Sequence, residues 1–148
     1  MSIATSVDSG TDKIKIYSPV QIGVSSFIGG PCAAVFVLWK NFQGMGKGSA
    51  AIKTLVWGGL LVLLILLVLP FLPEKFPNSA IPIATIISAV SVARQSQLSK
   101  KAIVESERYK IHSNWNVLGV SLCSILVFLV IFGPHFFLLV LMGFVSIE

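Results

Sequence analysis

Four long apolar stretches, almost free of charge, constrain this chain more than any other feature. A membrane-crossing helix needs about 20 largely apolar residues. The first stretch covers residues 19–39 and is closed by Lys40; the second covers 54–72, between Lys53 and Pro73-Glu74-Lys75. The third begins near Ala80 and meets its first charge at Arg94; the fourth follows Asn114-Trp115-Asn116 and carries no formal charge until Glu148. Residues 60–69 are all Leu, Val and Ile, apolar on every side, as suits a helix in contact with lipid. The third stretch is short and rich in Ser, Ala and Thr, and Arg94 at its end can snorkel to extend its usable length. The fourth is too long for one upright span and too short for two. Gly133-Pro134 lies within it, and proline removes a backbone hydrogen bond and kinks or ends a helix. The expected span therefore ends near 133, followed by a kinked or interfacial apolar segment over 134–147.

Composition agrees. Only 11% of the 148 residues are charged, against about 25% in ordinary soluble domains. The mean hydropathy of +0.89 leaves too little polar surface to cover a core in water. The expected fold is an all-α membrane protein: a polar tail over 1–17, then one transmembrane helical domain over 18–148. Its bundle of about four spans covers roughly 19–39, 54–72, 80–97 and 116–133. The net charge of +5 does not point to nucleic acid, because the cations flank apolar runs instead of forming a basic stripe. Alternating four spans puts Lys40, Lys47, Lys53, Arg94, Lys100, Lys101, Arg108 and Lys110 on one side, with Lys13, Lys15 and Lys75 on the other. The positive-inside rule then predicts both termini outside and a multi-pass protein of the cell inner membrane.

The chemistry is defined by what the spans lack. No Asp, Glu, Lys or Arg falls in the middle of any of them, and such groups usually mark ion paths or proton relays. Proton-coupled transport by this chain alone is not expected. His135 reads as an interfacial histidine and His112 as a loop residue. Cys32 and Cys123 lie in apolar runs with no His or Cys beside them, so they read as small buried hydrophobes and not as metal ligands. Gly44-Met45-Gly46-Lys47-Gly48-Ser49 lacks the full spacing and preceding strand of a phosphate loop and reads as a turn. No nucleophile–base pair can be assembled. The sequence predicts no catalytic residue, no cofactor and no metal.

Small residues form the one patterned surface. Ser25, Gly29 and Ala33 fall at i, i+4 and i+8 on the first helix, as do Ser26, Gly30 and Ala34; Ala80, Ala84 and Ser88 repeat the spacing on the third, with Thr85, Ala89 and Ala93 beside them. Such stripes let helix backbones approach closely in lipid. They suit packing of helices one and three, or a contact with a helix of another protein through Ser25, Ser26, Gly29, Gly30, Ala33 and Ala34. Gly29-Gly30-Pro31 interrupts the first span near its centre, and a kink is expected there. A broken helix lining a substrate site, as in transporters, is the alternative.

Ile16-Tyr17-Ser18-Pro19, Gln21-Ile22, Phe27-Ile28-Gly29-Gly30-Pro31 and Asn41-Phe42 resemble the opening of a group of small bacterial inner-membrane proteins. Those proteins carry a YSP-x-Q-I segment followed by a T-F-L-G-G-P-like one. Leu72-Pro73-Glu74-Lys75, Pro77, Pro82 and Ser113-Asn114-Trp115 are similar too, so the resemblance covers about 16–115. Ser26-Phe27-Ile28 stands here for the usual T-F-L. The group has no settled activity to carry over. Some small bacterial membrane proteins of this size are immunity proteins against toxins acting on the inner membrane. By that analogy the expected function is non-enzymatic: capture of a pore-forming toxin by helix–helix contact in the bilayer. A channel or transporter subunit and a membrane scaffold are the alternatives. The expected partners are the lipid bilayer, a membrane-inserted toxin and a second copy of the chain.

Overall fold

The computed structural model describes residues 13–68, 71–72, 77, 79–97 and 99–142. In chain order these form β1 (Ile14–Ile16), α1 (Pro19–Gly44), α2 (Gly48–Val68), α3 (Ala80–Ser96), α4 (Lys100–Val104), β2 (Tyr109–Ile111) and α5 (Asn114–Leu141). The chain is mostly helical. By length and composition α1, α2 and α5 are long and apolar enough to cross a membrane, and α3 is a shorter apolar helix.

The start of α1 is strongly specified. The Ser18 hydroxyl accepts from the Gln21 N–H, the Gln21 side-chain oxygen accepts from the Ser18 N–H, and Pro19 takes the first helical position. A straight helix of 26 residues would measure about 39 Å. Yet Asn41, near its end, hydrogen-bonds Tyr17, just before its start: Oδ1 accepts from the Tyr17 N–H and Nδ2 donates to the Tyr17 carbonyl, both at 2.7 Å. The two ends can meet only if α1 folds back on itself. The reversal is at Gly30, whose φ of 65° and ψ of −159° lie outside the helical region in a conformation that favours glycine. Pro31 follows as the first residue of the second arm, where a missing N–H costs nothing. The expected continuous span over 19–39 with a kink is thus corrected. The break is a hairpin turn, and residues 19–29 and 31–44 are its two arms.

This hairpin is the hub. Among the described residues α2, α3 and α5 each pack on α1 and scarcely touch one another. The core joins Tyr17, Ile22, Ala34, Val37 and Leu38 of the hairpin to Ala89 and Ala93 of α3 and Val117 of α5. Helix α2 leaves from the hairpin base through a tight turn at Gly46 (φ 72°). Helix α3 returns to that base, where the Lys47 ammonium donates to the Ser96 carbonyl at 2.7 Å. Helix α5 starts there too. At the hairpin tip a Cβ on Gly29 would stand 2.9 Å from the Ser121 carbonyl, seven residues into α5. The hairpin therefore reaches only part-way along α5, and the rest of that helix runs beyond its tip.

The ends of the chain differ from expectation in two further ways. Residues 14–16 of the expected polar tail form β1, which pairs in parallel with β2 in the register Ile14↔Tyr109, Lys15↔Lys110, Ile16↔Ile111. Lys15 consequently lies at the same end of the molecule as the 94–114 segment, not opposite it. Helix α5 continues unbroken through Pro134 to Leu141, where the span was expected to stop near 133. The segment 143–148 lies outside the described residues. The 99–112 loop contains α4, with Ile103 buried, and then β2. The Lys101–Glu105 ion pair on α4 spans 3.8 Å in the open, a geometry that contributes little.

Candidate functional site

Two features are built around the hairpin: a knot of uncharged polar side chains at its base and an apolar cleft along its second arm. The knot begins with Asn41, only 1% exposed, which clamps both backbone groups of Tyr17 and donates to the Gln97 side chain at 2.8 Å. Gln97 in turn donates to the Leu38 carbonyl, tying the end of α3 to the second arm. Gln21 donates to the His112 carbonyl at 2.7 Å and to the Asn114 side chain at 3.0 Å, tying the first arm to the start of α5. The Tyr17 hydroxyl donates to the Asn116 side chain, and its ring stacks on His112 with centroids 4.2 Å apart. Burial pushes the His112 imidazole below its ordinary value, and the charges of Lys40 and Lys15 push the same way, against a hydrogen bond to the Lys15 backbone. Burial pushes the Tyr17 phenol up. Apart from the buried His112 Nε2, which has no hydrogen-bond partner among the described residues, these groups bond to one another and lock the hairpin base to α3 and α5. Segments far apart in the chain assemble on the hairpin: Tyr17, Ser18, Gln21, Asn41 and Asn114 at the base, and Gly29, Gly30 and Pro31 at the tip.

The small-residue stripe is drawn together, but inward. Ser25, Ser26, Gly29, Ala33 and Ala34 are buried within the chain. The Ser121 hydroxyl reaches the Ser25 hydroxyl at 3.2 Å, Ser26 bonds back to the Ile22 carbonyl, and a Cβ on Gly29 would stand 2.6 Å from that of Ala33. Only Gly30 is half-exposed. The stripe's surface is used by the two arms against each other and against α5. On α3, Ala84 and Ser88 are exposed, and the neighbouring Ala89 and Ala93 make the packing contact instead.

The cleft lies between α2 and α5 and is floored by the second arm of the hairpin. Its volume is about 840 Å³, and Val35, Phe36, Leu55, Val62, Leu63, Leu66, Val120 and Val127 give it walls of carbon. Its few polar atoms come from Asn116, Ser124 and the thiols of Cys32 and Cys123, which face the same space. Trp115 and Asn116 mark its mouth at the hairpin base, and Lys40 stands beside it with its ammonium 6.0 Å from the Phe36 ring. A second space of about 250 Å³ separates α1, α2 and α3 near Trp57 and Thr85. Sequence reasoning missed the cleft because three separate helices create it and no residue in it is chemically conspicuous. Comparison with protein-family models, curated proteins and solved structures found no match for this chain.

Proposed function

We propose that this is a multi-pass protein of the cell inner membrane in which α2, α3 and α5 span the bilayer and the α1 hairpin enters and leaves it from the cytosol. The arms measure about 16 and 21 Å, against about 30 Å for the hydrocarbon core. Folding α1 back gathers ten of the eleven Lys and Arg residues at one end and leaves only Lys75 in the link between α2 and α3. That bias is far stronger than the eight against three of a four-span bundle, and it supports a cytosolic N-terminus and an outer C-terminus. Reporter fusions active only outside the cytosol test it. Activity after residue 148 but not before residue 1 is expected, and equal activity at both ends overturns it.

Within that placement the chain acts as a binding protein without chemistry of its own, an immunity protein that captures a pore-forming toxin in the bilayer. The observation that carries this reading is the run of α2 and α5 beyond the hairpin tip. There Leu63, Leu67, Val130 and Phe137 are exposed, with apolar faces that no other helix covers among the described residues. A toxin arriving from outside meets these outer-leaflet halves first, so the contact moves from the buried glycine stripe to them. Membrane potential in cells lacking this gene, with the neighbouring gene intact or deleted, tests the reading. Depolarisation only with the neighbour intact is expected; normal potential in both strains removes it. A channel or transporter subunit is the second reading. It is favoured by the non-helical backbone at Gly30, which membranes tolerate only when covered or lining a wet cavity. Conductance of the purified protein in liposomes separates the two.

A further inference from the structure

We propose that the cytosolic half of the α2–α5 cleft binds one anionic phospholipid of the inner leaflet. The inference rests on the membrane placement above, not on the toxin reading, and it concerns the floored half of the cleft, not the outer faces of α2 and α5.

Depth is the first observation. The floor is Cys32, Val35 and Phe36 of the second arm; it stops at the hairpin tip, and one helical turn beyond Phe36 at the other end stands Lys40, its ammonium 6.0 Å from the Phe36 ring. From Cys32 to Lys40 the helix rises about 12 Å. One leaflet contributes about 15 Å of hydrocarbon, half of the core thickness. The floored part of the cleft with its mouth at Lys40 thus has the depth of a single leaflet, which suits an acyl chain lying alongside the hairpin and not a helix crossing the whole bilayer.

The second observation is unused space on the walls. Gly59 of α2 and Gly119 of α5 both line the cleft, and a Cβ added to either meets no atom within 4 Å. Glycine destabilises a helix relative to alanine. Neither residue repays that by a close approach to another part of the chain, so the room they leave is available to an occupant from outside.

The third is charge at the mouth. Lys40 continues the line of Cys32 and Phe36 out of the cleft, and Lys15 and Lys40 both stand close enough to His112 to oppose its protonation. Trp115, 81% exposed, opens the wall of α5 where an aromatic side chain suits the membrane interface. The acidic Glu105 and Glu107 belong to the link between α4 and β2. A phosphate at the mouth meets the Lys40 ammonium, with the positive charge of Lys15 on the same side of the molecule, near His112. A zwitterionic headgroup would bring its own cation to these charges, which is why the anionic class is favoured.

The test uses the full chain with Trp39→Phe and Trp57→Phe, leaving Trp115 as the sole tryptophan, reconstituted in phosphatidylcholine vesicles. Brominated-chain phosphatidylglycerol or brominated-chain phosphatidylcholine is titrated in, and quenching of Trp115 is read. The expected result is preferential quenching by the anionic lipid, by about fivefold for each lysine. In Lys15→Gln/Lys40→Gln the preference should fall to near one. It should persist in Lys100→Gln/Lys101→Gln, and Gly59→Leu/Gly119→Leu should abolish it while the far-ultraviolet helical signal is retained. Equal quenching by both lipids in the unaltered cleft overturns the proposal. So does a preference that Lys100→Gln/Lys101→Gln removes as fully as Lys15→Gln/Lys40→Gln. Absence of quenching by either lipid would instead refute the membrane placement, so the two failures are distinguishable.

Discussion

Replacing Asn41 with leucine nearly preserves side-chain volume while removing the clamp that closes the hairpin. Three hydrogen bonds are lost: two to the Tyr17 backbone and one to Gln97. Tyr17 is 1% exposed, so its N–H and C=O cannot turn to water. Each stranded backbone group costs about 1–3 kcal/mol, or about 2–6 kcal/mol for the pair. Burying leucine methyls returns part of this, about 1–2 kcal/mol at most. A net loss of about 2–4 kcal/mol is expected, a large share of the roughly 5–15 kcal/mol that holds a typical domain. The assay is equilibrium unfolding in dodecyl maltoside micelles titrated with sodium dodecyl sulfate, followed by far-ultraviolet circular dichroism. Gln43→Leu, an exposed substitution on the same turn, serves as the control and should shift stability by less than about 0.5 kcal/mol. If Asn41→Leu also falls within about 0.5 kcal/mol of the parent, the clamp does not hold the hairpin and the reasoning fails.

Three further outcomes follow from the same geometry. Gly30→Ala forces a Cβ into a backbone conformation with φ of 65° and should cost about 1–2 kcal/mol in the same titration, whereas Gly59→Ala should be neutral or stabilising. Gly29→Leu drives a side chain against the Ser121 backbone and Ala33, so it should lower the yield of folded protein and not merely remove one partner contact; a fully stable variant would refute the packing of hairpin on α5. His112 has a folded-state value pushed below 6.5, so the unfolded chain takes up the proton first. Its contribution is fully present above about pH 6.5 and is lost as pH falls toward the folded value. Unfolding measured at pH 7.5 and 5.0 should show this loss, and His112→Phe, which keeps the stacking on Tyr17, should flatten it.

The hydrophobic character, the helical class and the approximate limits of α3 and the start of α5 were legible in the chain, because runs of apolar residues between charges and caps are local signals, whereas α2 begins at Gly48, six residues before the expected span. Even the hairpin left its marks: Gly29-Gly30-Pro31 at the tip, and the polar residues Tyr17, Gln21, Asn41 and Asn114 at the edges of apolar runs. Their meaning was not legible. A Gly-Gly-Pro break is compatible with a kink, a broken span or a reversal, and local propensity does not separate the three. The choice lies in a contact between residues 24 apart, the two arms of Asn41 on the backbone of Tyr17. The small-residue stripe left its partner open for the same reason. Spacing shows that a close approach occurs but not which helix makes it, and here the approaching surfaces are the two arms themselves and α5.

Sequence alone determined the solvent of this protein, since a chain with so few charges has no way to cover itself in water and its apolar runs match the thickness of a bilayer. Only the tertiary structure decided the path of the chain. Turning α1 back brings Lys15 to the end that holds β2 and its basic neighbours and opens a cleft beside an arm that stops part-way along α5. Hydropathy is a property of each residue and can be summed along the chain, whereas a reversal is fixed by hydrogen bonds between positions that the chain brings together only once it has folded.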